Sequence, residues 1–309
     1  AGCDVVVSTD LLVEDIDFRR DVIPPALLGH KALAVSLSDI AAMGARPRWA
    51  LLSIGVPNPI WNSDFLTDFY EGFFKLAKRY NVTLIGGDIS RTPERIVIDS
   101  ILVGESAKAG AVYRSGARPG DQIFVTGSLG DAAAGLRLLE RGARLSSHAA
   151  DGSLPDLDDE ANESHRVDHL LLRQLQPEPR VGWGLLLGEQ RLASAMIDIS
   201  DGLSSDLNHL CTESKVGALI DASQVPIDPV LTELSGRRAL DPLLLALHGG
   251  ENFELLFSVP PANIPKLPKR VDGVPITRIG EIRESSHNIL IAEGQRTWTL
   301  EPGGWQHFK

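Results

Sequence analysis

Sulfur is scarce in this 309-residue chain, which has two cysteines, Cys3 and Cys211, and two methionines. Two thiols are too few for a disulfide framework or a thiolate zinc site, so a reducing cytoplasm is the expected setting. Positive charge is short as well: 30 Lys and Arg face 41 Asp and Glu, a formal net charge of -11. That balance argues against nucleic acid or an anionic membrane surface as partner, since both want clustered cations. No apolar run approaches the roughly 20 residues that span a bilayer, and no basic-then-apolar leader opens the chain. What remains is an ordinary globular composition, 43% hydrophobic and 23% charged, long enough for two domains.

Hydrophobic periodicity predicts mixed α/β structure throughout. "DVVVST" (4–9) reads as a short buried strand, and residues 25–47 keep helical spacing through Leu27, Leu28, Ala32, Val35 and Ile40, with Gly44 and Pro47 closing the segment. Residues 49–57 read as a strand. Residues 62–80 form an amphipathic helix with Phe65, Phe69, Phe73 and Leu76 on one face and Asn62 or Ser63 as cap. Two more strands follow at 82–90 and 95–106. The pattern changes near residue 110, which sets the expected domains at 1–110 and 111–309. Beyond it, 122–142 reads as strand, glycine turn at Gly127 and Gly130, and helix; 145–165 reads as a solvated acidic loop; strands are expected at 217–221, 254–259 and 276–282.

Four acidic turns share one design, in which an apolar segment runs into Asp beside Gly, Ser or Thr. They are "VVVSTDLL" (Asp10), "VSLSDIAAMGA" (Asp39), "LIGGDIS" (Asp88) and "MIDISDGL" (Asp198, Asp201). Small neighbours admit a phosphate or a hydrated cation close to the backbone, and carboxylate, hydroxyl and water oxygens suit magnesium. Any one such Asp is equally a helix cap or a turn former. Five together, if they converged, would repel by roughly 4 kcal/mol per pair at 4 Å and an effective dielectric near 20, and would require divalent cations. "GSLGDAAAG" lacks the Lys-Ser/Thr ending of a phosphate-binding P-loop. His30, His209, His248 and His307 show no metal-ligand spacing and read as structural or solvent-facing.

The segments "STDLLVEDIDF", "SLSDIAAMGARP", "GGDIS", "RSGARPGD", "VTGSLGDAAAGL", "MIDISDGLSSDL", "GGENFEL", "IGEI" and "GGWQHF", in this order, resemble the thiamine-monophosphate kinases. These belong to a superfamily that also includes aminoimidazole ribonucleotide synthetase. The resemblance implies two α/β domains, the first dimerising through its sheet into a homodimer, with ATP between the domains. It implies ATP-dependent phosphorylation of thiamine monophosphate, with magnesium bound by Thr9, Asp10, Asp39, Asp88, Asp198 and Asp201 and with Ser8 as a further oxygen. Gly87, Asp88, Arg114 and Ser200 correspond to nucleotide contacts; Asp198, Asp201 and Arg114 carry the catalytic role. Glu251 and Trp305 correspond to acceptor contacts, Trp305 either stacking on the cationic thiazolium ring or plugging the core.

Three departures stand out. Asp17 occupies the place of a His that contacts substrate in the family, Asn252 replaces the Asp after Glu251, and a "GDD" turn expected upstream of the first motif is absent, so a preceding segment is expected. They keep open a sister enzyme acting on another small substrate, or a nucleotide binder without turnover.

Overall fold

The computed structural model describes residues 3–106, 110–155, 157, 162–284 and 288–305. The first half runs β1 (Val5–Val13), α1 (Pro25–Ala42), β2 (Ala45–Val56), α2 (Asn58–Trp61), α3 (Phe65–Arg79), β3 (Thr83–Arg91) and β4 (Val97–Ser106). Its strands pair in the order β1-β4-β2-β3, antiparallel except for β2 beside β3. Strict alternation divides each strand between two faces. On β1, Val6, Ser8 and Leu12 turn inward, while Val5, Val7 and Leu11 stay exposed.

Helix α1 covers the inner face of β1, β4 and β2, and α3 packs on α1. A surface helix has one apolar stripe, but α1 is buried on nearly every side, as a helix apolar all round must be. Its contact with α3 is almost backbone on backbone. A Cβ on Gly29 would stand 1.8 Å from the Phe69 carbonyl oxygen, and one on Gly72 would stand 1.8 Å from that of Ala26.

Several boundaries differ from the periodicity: the short buried strand expected over 4–9 runs on to Val13, and only alternate residues of it are buried. The helix stops at Ala42 and β2 starts at Ala45, so Pro47 lies inside a strand. A register shift between Pro47 and Trp49 accommodates it, since proline cannot donate to the ladder and is tolerated at bulges. The helix expected over 62–80 begins at Phe65, where Ser63 Oγ accepts from the Phe65 N–H at 3.3 Å.

The second half runs β5 (Gln122–Thr126), α4 (Asp131–Glu140), α5 (Glu163–Leu175), α6 (Val181–Glu189), β6 (Ala195–Asp198), α7 (Leu203–Ser214), β7 (Gly217–Asp221), α8 (Pro229–Arg238) and α9 (Pro242–His248). It continues with β8 (Leu255–Val259), β9 (Arg270–Val271), β10 (Val274–Arg283), β11 (Ile289–Glu293) and β12 (Arg296–Thr299). The mixed sheet is ordered β12-β11-β7-β10-β5-β8-β6, with β9 beside β10. Gly127 (φ +57°) and Gly130 (φ +87°) make the turn from β5 into α4. In the acidic stretch, Asp156, Asp158, Asp159 and Glu160 lie outside the described residues, as does His307, while Asp151 accepts from the Ser153 N–H. No described helix is long and apolar enough to cross a membrane.

Helix α1 also touches the second half, at α5, α6 and β6, so it is the element against which both sheets are placed. Gly72→Ala should therefore lower stability by about 1–3 kcal/mol, the usual cost of overpacking. Thermal unfolding checks this; an unchanged melting temperature would show that α3 can move away from α1.

Candidate active site

Three segments bring carboxylates to one place. Asp10 reaches inward from β1, Asp39 comes from the last turn of α1, and Asp198 ends β6. Each is held by a serine hydroxyl. Ser36 donates to Asp10 at 2.7 Å, Ser38 donates to Asp198 at 2.7 Å, and Ser8 donates to Asp39 and, at 3.3 Å, to Asp10. Ser36 and Ser38 sit on α1 just before Asp39, so this one helix end supplies three of the six oxygen-bearing side chains.

Burial and mutual repulsion dominate the electrostatics. Asp10 is raised from its ordinary 3.8 to about 6 by burial and then by the Asp39 charge. Asp198 is pushed well above the usual carboxylate range by burial, with Asp39 adding repulsion. Burial also raises Asp39, while the Ser8 hydroxyl and the Arg114 guanidinium pull it back. Asp39, Asp198 and Arg114 line a cleft of about 510 Å³ between β1 and β6, walled by Tyr113, Met43 and the backbone of β1. Hard oxygen donors on a raised-pKa cluster fit magnesium, which takes oxygen ligands and would relieve the repulsion.

Asp201 lies beyond β6 in the turn before α7, within reach of Asp206 and His209; one ligand atom from each falls within 4.8 Å of the others. Asp206 accepts from the Asp201 and Gly202 N–H groups at 3.1 and 3.0 Å, and burial, then Asp201, raises it to about 7. The same turn anchors the two acceptor candidates. Ser200 O accepts the Glu251 N–H at 2.7 Å, and Asp201 O accepts the Trp305 N–H at 3.1 Å. Gly303 and Gly304 donate to Ser204 and Ser205, which fixes the chain leading into Trp305. Trp305 is 54% exposed, so it does not plug the core.

Other candidates are placed elsewhere. Thr9 borders the cleft, but alternation turns its hydroxyl to the outer face of the sheet, where it donates to Asp99 at 2.8 Å. Asp88 lies in the register row Leu11–Asp99–Ser53–Asp88 of that outer face, three strands and about 14 Å from β1. One chain alone does not bring Asp88 to the other carboxylates. Gly87 (φ +149°) is required by the fold itself, because a Cβ there would meet the Leu52 carbonyl oxygen at 1.9 Å.

Asp17 accepts the Val13 N–H at 2.8 Å and so closes the turn after β1. Asn252 is buried, accepting the Gly130 N–H at 2.9 Å and donating to Gly249 O at 2.8 Å, a donation no carboxylate could make. His30 is buried 2.8 Å from Pro177 O, His248 lies 2.8 Å from Ser204 Oγ, and His209 is exposed beside Asp201.

Residues 1–106 match the family model "AIR synthase related protein, N-terminal domain", and residues 118–293 match its C-terminal counterpart. The chain is 37% identical to the thiamine-monophosphate kinase of Bacillus subtilis over 311 residues, covering 100% of this chain and 89% of that one. It is also 37% identical to that of Escherichia coli K12, covering 98% and 86%. The chain belongs to the thiamine-monophosphate kinase family. Among solved structures, the family member from Stenotrophomonas maltophilia superposes with a TM-score of 0.81 at 37% identity, covering 94% of this chain and 86% of that one. AaThiL, solved in complex with AMPPCP and TMP, superposes at 0.82 with 33% identity over 99% and 88%.

Membership in this family gives the converging aspartates their context, but Ser36, Ser38 and Asp206 escaped the sequence reading, while His209, read as structural or solvent-facing, is exposed. The signal for the serines was the alternation "SLSD", in which two hydroxyls precede Asp39 within one helical turn.

The raised Asp10 has a testable sign. The folded protein binds this proton more tightly than the unfolded chain, so stability falls as pH rises from about 4 to 6, by about 3 kcal/mol in full. In chelator-treated protein, Asp10→Asn should melt above wild type at pH 7, and the gap should close near pH 4. A gap independent of pH would contradict the assignment.

Proposed function

We propose that this chain transfers the γ-phosphoryl group of ATP to the phosphate of thiamine monophosphate, giving thiamine diphosphate and ADP. The observation that carries the reading is the clustering of Asp10, Asp39 and Asp198, of which Asp39 and Asp198 line one cleft with Arg114, in a chain similar over its whole length to thiamine-monophosphate kinases. The complex of AaThiL with AMPPCP and TMP supports a donor nucleotide and a phosphorylated acceptor as the pair.

The acceptor oxygen belongs to a phosphate whose second pKa is about 6, so it attacks already ionised and needs no general base. A P–O bond forms to the acceptor while the bond between the β,γ-bridging oxygen and the γ-phosphorus breaks, and ADP leaves with the electron pair. The protein's work is to align two anions and to oppose their charge. Asp10, Asp39, Asp198 and Ser8, with Asp201 in the turn after β6, would hold magnesium, which would supply positive charge toward the triphosphate. Arg114 lies beside Asp39 and adds a guanidinium to the same cleft, and Ser200 offers a nucleotide contact from the turn that holds Glu251.

On the acceptor side, Glu251 faces the amine-bearing ring and the exposed Trp305 indole offers a face to the thiazolium cation. Asp17 and Asn252 carry hydrogen bonds that the local backbone needs, so neither departure speaks for a protein that binds without turnover. Gly87 precedes Asp88 on the edge strand β3, in the row of Leu52, and Thr9 and Asp88 reach a site only from the outer face of the first sheet. That face carries Val7, Val103 and Trp49 in one row and Ile101 and Leu51 in the next, and no described helix covers it. A second copy packed there, sheet on sheet, forms the homodimer and brings its own Gly87 and Asp88 toward the partner's cleft.

Asp198→Asn should lower turnover by at least 10²-fold while the ligand-free protein melts at or above the wild-type temperature, because one repelling anion is gone. A large loss of stability would make Asp198 structural. Trp305→Ala should raise KM for thiamine monophosphate at least tenfold with KM for ATP within twofold, in steady-state kinetics with each substrate varied; equal changes would exclude stacking on the acceptor.

A further inference from the structure

One buried cation near the acceptor side has no part in the chemistry above. Lys31, on α1, is 1% exposed, and lysine is almost never so buried without a partner. Its Nζ lies 2.6 Å from Glu251 Oε1 and donates to Gln174 O at 3.3 Å. Gln174 Nε2 donates to the other Glu251 oxygen. Gln174 Oε1 is buried with no hydrogen-bond partner among the described residues, so the amide is oriented to suit Glu251 at the expense of its own carbonyl. Glu251 in turn has left-handed backbone (φ +60°), a conformation uncommon for a residue with a side chain, and its N–H is tied to Ser200 O.

Two donors on the carboxylate and one bond on the backbone therefore fix Glu251 before any ligand arrives. Seven residues along α1, on the same face and about 10 Å away, Ser38 holds Asp198. One helix thus sets the spacing between an acceptor contact and a metal carboxylate.

We propose that Lys31 is a positioning residue for acceptor recognition. It holds the Glu251 carboxylate in one orientation toward a cationic, amine-bearing heterocycle. Because Lys31 cancels the Glu251 charge, the ring is selected by hydrogen-bond direction and not by charge alone. This rests on Glu251 being an acceptor contact, and the experiment separates the two.

Steady-state kinetics and calorimetric binding of thiamine monophosphate without ATP are measured on K31M, E251Q and the double variant K31M/E251Q. The expected result for K31M is an acceptor Kd and KM raised at least tenfold, with KM for ATP within twofold. K31M leaves the partly buried Glu251 carboxylate with the Gln174 amide but without its cation, and is expected to melt lower. The double variant removes both charges, should recover the melting temperature, and should keep the weak acceptor binding. If E251Q binds the acceptor poorly while folded K31M binds it as wild type does, Lys31 is a staple between domains and the proposal is overturned. Equal weakening of ATP and acceptor in K31M also overturns it. If E251Q binds the acceptor normally, the underlying reading of Glu251 fails, and the role of Lys31 falls with it.

Discussion

Asp10, Asp39 and Asp198 repel one another in a buried place, and the fold holds them there all the same. Each comes from a different segment, and a serine hydroxyl is bonded to each. A hydroxyl bond relieves only part of a carboxylate's cost of burial, which is why Asp10 and Asp198 keep raised proton affinities. The cluster is stable as an assembly only because α1 is anchored so firmly on both sides. In the proposed function a cation answers this arrangement, since the charge of a metal nucleotide would satisfy what the serines leave unsatisfied.

A second, different use of charge lies next to it. Glu254 is fully buried between Arg173 and Arg180, with Thr126 donating at 2.6 Å, and Arg173 also reaches Asp131 at 2.8 Å. Burial would raise Glu254, but the two guanidinium groups hold it below the usual range. This network is complete, whereas the aspartate cluster is not. The loop that carries Glu251 and Asn252 leads directly into the complete network at Glu254, so that loop is held by satisfied ion pairs while the aspartate cluster keeps its repulsion.

Much of this was legible in the residues. The clustered aspartates follow apolar runs and stand among small neighbours, and that local pattern survives in any fold that puts strand ends together. The parity of β1 was also readable in principle, yet Thr9 was grouped with Ser8 and Asp10 because the motif is contiguous, whereas a strand sends adjacent side chains to opposite faces. Asp88 needed strand order, which depends on pairings between residues far apart in the chain. Lys31 was silent because a helix buried on nearly every side has no apolar stripe against which a polar residue would look out of place. Asn252 looked like a lost charge until its donation to Gly249 O gave the amide a reason.

The glycines of α1 and its neighbours have a mechanical consequence. A Cβ on Gly184 of α6 would meet the Ala41 carbonyl oxygen at 2.2 Å, just as Gly29 and Gly72 bring α1 onto α3. With backbone seated on backbone along both flanks, no cushion of side chains is left to slide or rotate through. Admission and release of ligands would then fall to thin connections, such as the stretch of chain entering β5 or the segment that carries Trp305, while the central rod keeps its length and bearing.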